Sequence, residues 1–162
     1  HATLSGLSKL PIDVKNVLVM YGDDFSYPKE KIHQLITKHL DDNAMLTLLT
    51  INKDNPYGLG RIIRDENGKV LRIVEEKDAT DEERKIKEIN PGCYIFNRMF
   101  LKKYLPKIKK SPVTGEYYLT SIIDLAIKNN EKIETIKAGN IPWQGVNTKE
   151  DLEEAQKLFV QQ

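Results

Sequence analysis

A single cysteine, Cys93, stands among 162 residues. That excludes an intramolecular disulfide and any zinc site built from cysteines, and it fits a reducing compartment. Long apolar runs are missing as well. Stretches such as Val17-Leu18-Val19-Met20 end after a few residues, far short of the roughly 20 needed to cross a bilayer. No basic-then-apolar leader opens the chain, so a cytoplasmic protein with no membrane partner is expected. Charge of one sign is also lacking: 25 Lys and Arg against 24 Asp and Glu leave a net of +1. A nucleic-acid binder would carry a basic footprint, and none is present. Histidines are few and share no ligand spacing. His33 and His39 are six residues apart and do not face one metal; with His1 they read as surface or packing residues.

What is present suffices for one folded domain. The chain is 40% hydrophobic and 30% charged, enough to fill a core beneath a solvated surface, which excludes a disordered or fibrous protein. Asn16 to Met20 is a short uninterrupted apolar run, the pattern of a strand buried on both faces of a parallel sheet. A helix follows from Pro28, with Ile32, Leu35, Ile36 and Leu40 on one face, and Met45 to Ile51 reads as the next strand. Strand, helix, strand is the unit of an open parallel sheet. Asn52 to Gly60 is a loop. Ile62-Ile63 and Val70 to Val74 flank Asp65-Glu66-Asn67-Gly68, a hairpin turn signal. Asp78 to Arg84 suggests a short exposed helix capped near Thr80, Cys93 to Phe96 a strand, and Phe100 to Leu105 a short helix. Leu119, Ile122, Ile123, Ala126 and Ile127 keep helical spacing, and Ile133 to Lys137 reads as a late strand. Thr148 with Asp151 opens a last helix as a capping box, with Leu152, Ala155 and Phe159 facing inward. The result is one α/β domain with an inserted hairpin. A parallel sheet with so few central strands would be thin, so further strands upstream of His1 are expected.

Asp23 is the most informative polar position. It ends a strand, where open α/β sheets place ligands, and Gly22 before it lets a flat group approach the backbone. A carboxylate there suits Mg²⁺, a hard cation that prefers oxygen; equally, Asp23-Asp24 reads as no more than a cap for the helix near Pro28. Gly58-Leu59-Gly60 is no dinucleotide fingerprint, because a strand and not a helix follows it. It reads as a loop where backbone nears a ligand, or as a flexible entry to the hairpin. Glu75 ends a hairpin strand, which fits either a solvated face or a site. Asn90-Pro91-Gly92 is a turn sequence whose amide can both donate and accept. Asn147 precedes the last helix and reads on its own as an extra cap residue. Cys93 reads as a small buried hydrophobe. Trp143, Tyr117 and Tyr118 fit the core by default, or a sugar-stacking surface.

Taken in order, Leu18-Val19-Met20-Tyr21-Gly22-Asp23, Tyr57-Gly58-Leu59-Gly60-Arg61-Ile62, Ile73-Val74-Glu75-Glu76-Lys77, Glu88-Ile89-Asn90-Pro91-Gly92, Gly115-Glu116-Tyr117-Tyr118-Leu119-Thr120 and Gly145-Val146-Asn147 form a specific series. The series closely resembles the pyrophosphorylase (uridylyltransferase) domain of bacterial bifunctional N-acetylglucosamine-1-phosphate uridyltransferases, along essentially the whole chain. The resemblance implies a Rossmann-like open, mostly parallel sheet of the nucleotidyltransferase type, carrying a β-hairpin. It implies Mg²⁺-dependent transfer of a nucleotidyl group from UTP to N-acetylglucosamine 1-phosphate, a step toward cell-wall precursors. On that footing Asp23 and Asn147 are the protein ligands of Mg²⁺, and Tyr21-Gly22 lies along the nucleotide. Gly60, Glu75 and Asn90 hold the amino sugar, with Tyr118 and Thr120 contacting the sugar phosphate. Two features depart from the family pattern: Pro91 stands where a small hydroxylated residue is usual, and Ser121 where an acidic one is common. The family's N-terminal glycine-rich loop, with its Arg and Lys, has no counterpart in these 162 residues. They are therefore expected to form the C-terminal portion of one nucleotidyltransferase domain, with negligible transferase activity alone. The alternatives are a UDP-sugar-binding module without turnover, or a nucleotidyltransferase for another sugar 1-phosphate.

Overall fold

A computed structural model describes residues 2–160. His1 and the side chain of Phe159, both given roles from the sequence, lie outside what it describes. The elements run α1 (Ala2–Lys9), β1 (Asn16–Met20), β2 (Asp24–Phe25), α2 (Lys29–Asp41), β3 (Leu46–Asn52), β4 (Gly60–Arg64), β5 (Val70–Val74) and α3 (Asp81–Arg84). They continue with β6 (Glu88–Asn90), β7 (Cys93–Asn97), α4 (Arg98–Tyr104), α5 (Ser121–Lys128), β8 (Ile133–Lys137), β9 (Gln144–Gly145) and α6 (Lys149–Val160).

β3 is the axis of the molecule. Six of its residues, Leu46 to Ile51, are buried, because helices cover both of its faces. On one face Leu46 and Leu48 join Tyr94, Phe96, Phe100, Leu101, Ile122, Ile123 and Ala126 from β7, α4 and α5. On the other, Leu49 packs with Leu35 of α2 and with Cys93 and Ile95. Within α2 the buried residues are Leu35 and His39; Ile36 and Leu40, expected on the inner face, are 37% and 52% exposed. His39 is held there by Thr47 (2.9 Å from Nδ1) and Asn16 Oδ1 (3.2 Å from Nε2). Since Asn16 Oδ1 only accepts, Nε2 carries the ring proton and Nδ1 accepts from the Thr47 hydroxyl. Of the last helix's expected inner residues, Ala155 is buried and Leu152 is 47% exposed.

The sheet is α/β and open, as expected, but not mostly parallel. Its path is β1-β7-β3-β6-β4-β5, with β8 also on β3, and β3–β8 is the one parallel pair among the described residues. β1 and β3 run the same way, as a strand–helix–strand unit requires, but β7 lies antiparallel between them. Hydrophobic patterning reveals a crossover and cannot reveal a later strand that inserts into it. β1 is correspondingly an edge strand, not one buried on both faces: Leu18 and Met20 are 42% and 43% exposed. The expected hairpin is β4–β5, pairing Arg61 with Val74 and Ile62 with Ile73. Its turn is closed by Asp65 Oδ1, which accepts from the N–H groups of Asn67 and Lys69. Thr80 and Glu83 cap α3 reciprocally, and Thr148 and Asp151 do the same for α6.

One irregularity shapes the site. β6 and β7 lie along the same edge of β3, pairing Ile89 with Ile51 and Tyr94 with Leu48. Three steps along β3 therefore face five along its partner, and the excess is taken up at Asn90-Pro91-Gly92. This sequence is thus a bulge between two ladder segments rather than a turn ahead of one strand.

Candidate active site

Strand ends gather the residues singled out from the sequence. β4 and β6 pair Gly60 with Asn90. Glu75, just past β5, is half-buried and accepts a hydrogen bond from Thr120 Oγ1 at 2.7 Å. A methyl group on Gly60 would lie 3.2 Å from Glu75 Oε2 and 3.1 Å from Ile73, so the missing side chain is what leaves that carboxylate oxygen room. Gly60, Glu75, Asn90 and Thr120 thus converge. Burial raises the Glu75 carboxyl, opposed by the Thr120 hydrogen bond and reinforced by Asp78. Tyr21 joins from the end of β1. Its field and that of Glu75 act on one another, and its ring lies against Gly92, where a Cβ would sit 2.3 Å from Tyr21 Cδ2. The Gly92 φ of +86° also lies in the region that disfavours any side chain.

Asp23 and Asn147 also come together. β2 and β9 pair Asp24 with Gly145, and the Val146 N–H donates to the Asp23 carbonyl at 2.8 Å. Asp23 and Asn147 flank that bond, both exposed. Neither Asp23 nor Asp24 caps α2, which starts after Pro28 with no side-chain cap. Asn147 is not the cap of α6 either: its backbone N–H donates to Asp151 Oδ2 at 3.0 Å, and Thr148 supplies the reciprocal cap. A carboxylate and an amide oxygen, both open to solvent, are hard donors. They match Mg²⁺, which takes one or two protein oxygens and completes its shell with substrate phosphates and water. Among the described residues no group of three or more His, Cys, Asp or Glu could hold a metal ion, so a site of many protein ligands is not formed.

Asp24 and Tyr27 were not expected to act together. The Tyr27 hydroxyl lies 2.7 Å from Asp24 Oδ2 and also bonds the Pro91 carbonyl. Tyr27 thus bridges Asp24 and Pro91, and burial pushes Asp24 up to about 7, opposed by the hydrogen bond it accepts from Tyr27. This ties the segment just after Asp23 to the bulge carrying Asn90. Tyr94 also went unnoticed in the sequence; it stands in β7 across the bulge from Asn90 and donates to that side chain.

Two clefts meet at Tyr118, which lines both. One, of about 760 Å³, runs along β1 past Leu18, Met20 and Tyr21-Gly22-Asp23 to Tyr117 and Tyr118. The other, of about 440 Å³, is lined by Glu75, Tyr118 and Thr120 together with Arg72, Lys107, Lys109 and Lys110. The Tyr118 hydroxyl shares a 2.6 Å hydrogen bond with Thr114 Oγ1. Trp143 belongs to the core, 4% exposed beside Ile51 and Ile89. Cys93 is buried as expected, and burial pushes its thiol up to about 12. No helix among the described residues is long and apolar enough to cross a membrane.

Comparison with known proteins agrees with this architecture. The family described as nucleotidyl transferase matches residues 2–162. A bifunctional protein GlmU from Caldicellulosiruptor saccharolyticus is 41% identical over 153 residues, covering 94% of this chain and 33% of that protein. The GlmU of Marinobacter nauticus is 39% identical over 163 residues, covering 100% of this chain and 35% of the relative. The chain therefore spans about a third of the length of these curated relatives. A crystal structure of a putative glucose-1-phosphate thymidylyltransferase from Bacillus anthracis, in complex with a sucrose, shares the fold. Its TM-score is 0.70 at 21% identity, covering 91% of this chain and 55% of that one. With its family match running over residues 2–162 and a sheet of the same fold, this chain belongs to the nucleotidyl transferase family.

Proposed function

We propose that this chain supplies the sugar- and metal-binding part of an enzyme that transfers a uridylyl group from UTP to N-acetylglucosamine 1-phosphate, releasing pyrophosphate. The observation that carries the reading is the convergence of Gly60, Glu75, Asn90 and Thr120 on one side of Tyr21, with Asp23 and Asn147 just beyond it. Kinship with the curated GlmU proteins supports the same reading.

A phosphate monoester is already largely ionised near neutral pH, with its second pKa near about 6. Its oxygen can attack the α-phosphorus of UTP without a protein base. One P–O bond forms, the bond to the β-phosphate's bridging oxygen breaks, and pyrophosphate leaves with that electron pair. The protein's task is positioning and charge neutralisation. Glu75, held by Thr120, accepts from the sugar's N–H or hydroxyl groups, and Asn90 faces it from the bulge. Tyr21-Gly22 offers a flat surface to the nucleotide, and Tyr118 sits where sugar phosphate and nucleotide meet. Lys107, Lys109 and Lys110 lend the cleft positive potential for phosphate. Asp23 and Asn147 would hold Mg²⁺, which when bound neutralises phosphate charge and aligns the reacting groups.

The test is pyrophosphate release from UTP and N-acetylglucosamine 1-phosphate by the protein of the full reading frame containing these residues. Mg²⁺-dependent turnover is expected, and Asp23→Ala should lower it by about 100-fold or more, the scale of losing one charge-stabilising group. Full turnover by Asp23→Ala would remove the metal assignment. Absence of pyrophosphate with this substrate pair would remove the reaction.

A further inference from the structure

Asn90 is 7% exposed, and its carbonyl oxygen is fully engaged inside the protein. The Tyr94 hydroxyl donates to Asn90 Oδ1 at 2.8 Å, and the Gly92 N–H donates to the same atom at 3.2 Å. Tyr94 itself is 1% exposed, its ring wedged between Tyr21 (centroids 6.1 Å apart) and Phe96 (5.5 Å). Having spent its proton on Asn90, the Tyr94 oxygen is left as the acceptor for the Tyr21 hydroxyl, 3.4 Å away. The chain of donors therefore runs Tyr21 to Tyr94 to Asn90, and it leaves Asn90 with only its Nδ2 group to offer a ligand.

We infer that Tyr94 is a positioning residue which, beside the Gly92 N–H whose donor-only character turns Oδ1 inward, holds the Asn90 amide in that orientation, so that the sugar site presents a donor and selects an N-acyl amino sugar over its hydroxyl counterpart. The chemistry follows from the inventory of donors and acceptors. An acyl carbonyl accepts only, so it pairs with Nδ2 and is rejected by an outward Oδ1. A sugar hydroxyl donates or accepts, so it tolerates either face of the amide. Fixing the amide thus favours the N-acyl ligand, and freeing it costs that ligand more than the hydroxyl one. Glu75 complements this arrangement by accepting from the amide N–H. The inference rests on the sugar-phosphate reading above and extends it from a substrate class to the group that sets selectivity.

The experiment measures kcat and KM of the full-reading-frame protein with N-acetylglucosamine 1-phosphate and with glucose 1-phosphate. Tyr94→Phe keeps the ring and removes the hydroxyl. It should raise KM for the acetamido sugar about three- to tenfold, the scale of one hydrogen bond, leaving KM for glucose 1-phosphate within about twofold and both kcat values little changed. In an Asn90→Ala background the same change should no longer alter the ratio, because nothing remains to be oriented. A general loosening of the fold would affect both sugars and persist in that background. Asn90→Asp approaches the point without touching Tyr94: the outward donor becomes an acceptor, so preference should swing toward glucose 1-phosphate. Selectivity unchanged in Tyr94→Phe, or in Asn90→Asp should Tyr94→Phe fail to fold, overturns the inference while leaving the reaction intact. No turnover of either sugar phosphate by the wild-type protein overturns the reading beneath it and the inference with it.

Discussion

Replacing Gly92 by alanine is the most informative stability experiment that this structure offers. Two separate costs meet at that position. The φ of +86° places an L side chain in the left-handed region, which costs about 1–2 kcal/mol. The added methyl would also lie 2.3, 2.5 and 2.8 Å from three atoms of the Tyr21 ring, so the ring must move, an overpacking cost of about 1–3 kcal/mol. The sum is about 2–5 kcal/mol, a large share of the roughly 5–15 kcal/mol that stabilises an ordinary domain. At about 2–4 °C per kcal/mol for a chain of this size, the melting temperature should fall by about 4–20 °C. Gly68→Ala separates the two costs, because Gly68 has a similar φ of +78° with nothing within 4 Å of its added Cβ. It should show the backbone cost alone, about 1–2 kcal/mol. Urea denaturation of the two variants side by side gives the difference directly. Equal losses would mean that Tyr21 does not rest on Gly92, and the packing described for the site would be wrong.

Further outcomes are expected. Arg61 is 1% exposed and pairs with Glu76 at 2.6 Å, while its Nε finds no partner among the described residues. Glu76→Ala would strand that charge and should cost about 3–5 kcal/mol in urea unfolding; a loss below about 1 kcal/mol would show that Arg61 reaches water or another partner. Glu75 has a carboxyl raised by burial, so its contribution to stability is present at low pH and lost as pH rises through its folded value. Glu75→Gln should therefore flatten stability on that limb and raise it near pH 7 while weakening sugar binding, the usual trade between stability and a functional group. A thermal melt series across pH checks the first part and sugar-phosphate KM the second. His39 behaves in the opposite sense. Burial lowers its pKa below 6.5, so its neutral form stabilises the fold above that pH, and the contribution is lost as pH falls toward the folded value. His39→Gln should remove that acid-side loss in urea midpoints; an unchanged pH profile would exclude His39 as its source.

Comparing residues with outcomes shows what local patterning carries. β3, β8, the β4–β5 hairpin and the caps of α3 and α6 were legible because each is specified within a few residues. A continuous apolar run, an Asx-closed turn and a reciprocal Thr–acid pair act over short range. The gathering of candidate site residues was legible only as an ordered series of motifs, since no one of them is distinctive alone. Illegible were the antiparallel insertion of β7, the exposure of β1 and the two-residue β2 and β9, because pairing across tens of residues leaves no periodic trace in either strand.

Composition and spacing by themselves determined an α/β chain with a hairpin, and the ordered series of motifs named which side chains were candidates for chemistry. Tertiary structure alone decided how those candidates face one another. The bulge at Asn90-Pro91-Gly92 exists because β6 and β7 must both follow one edge of β3, with two residues too many. That excess turns Asn90 toward Tyr94 and Gly92 toward Tyr21. A hydrogen bond's direction depends on where both partners stand, and a sequence names the partners without saying where they meet.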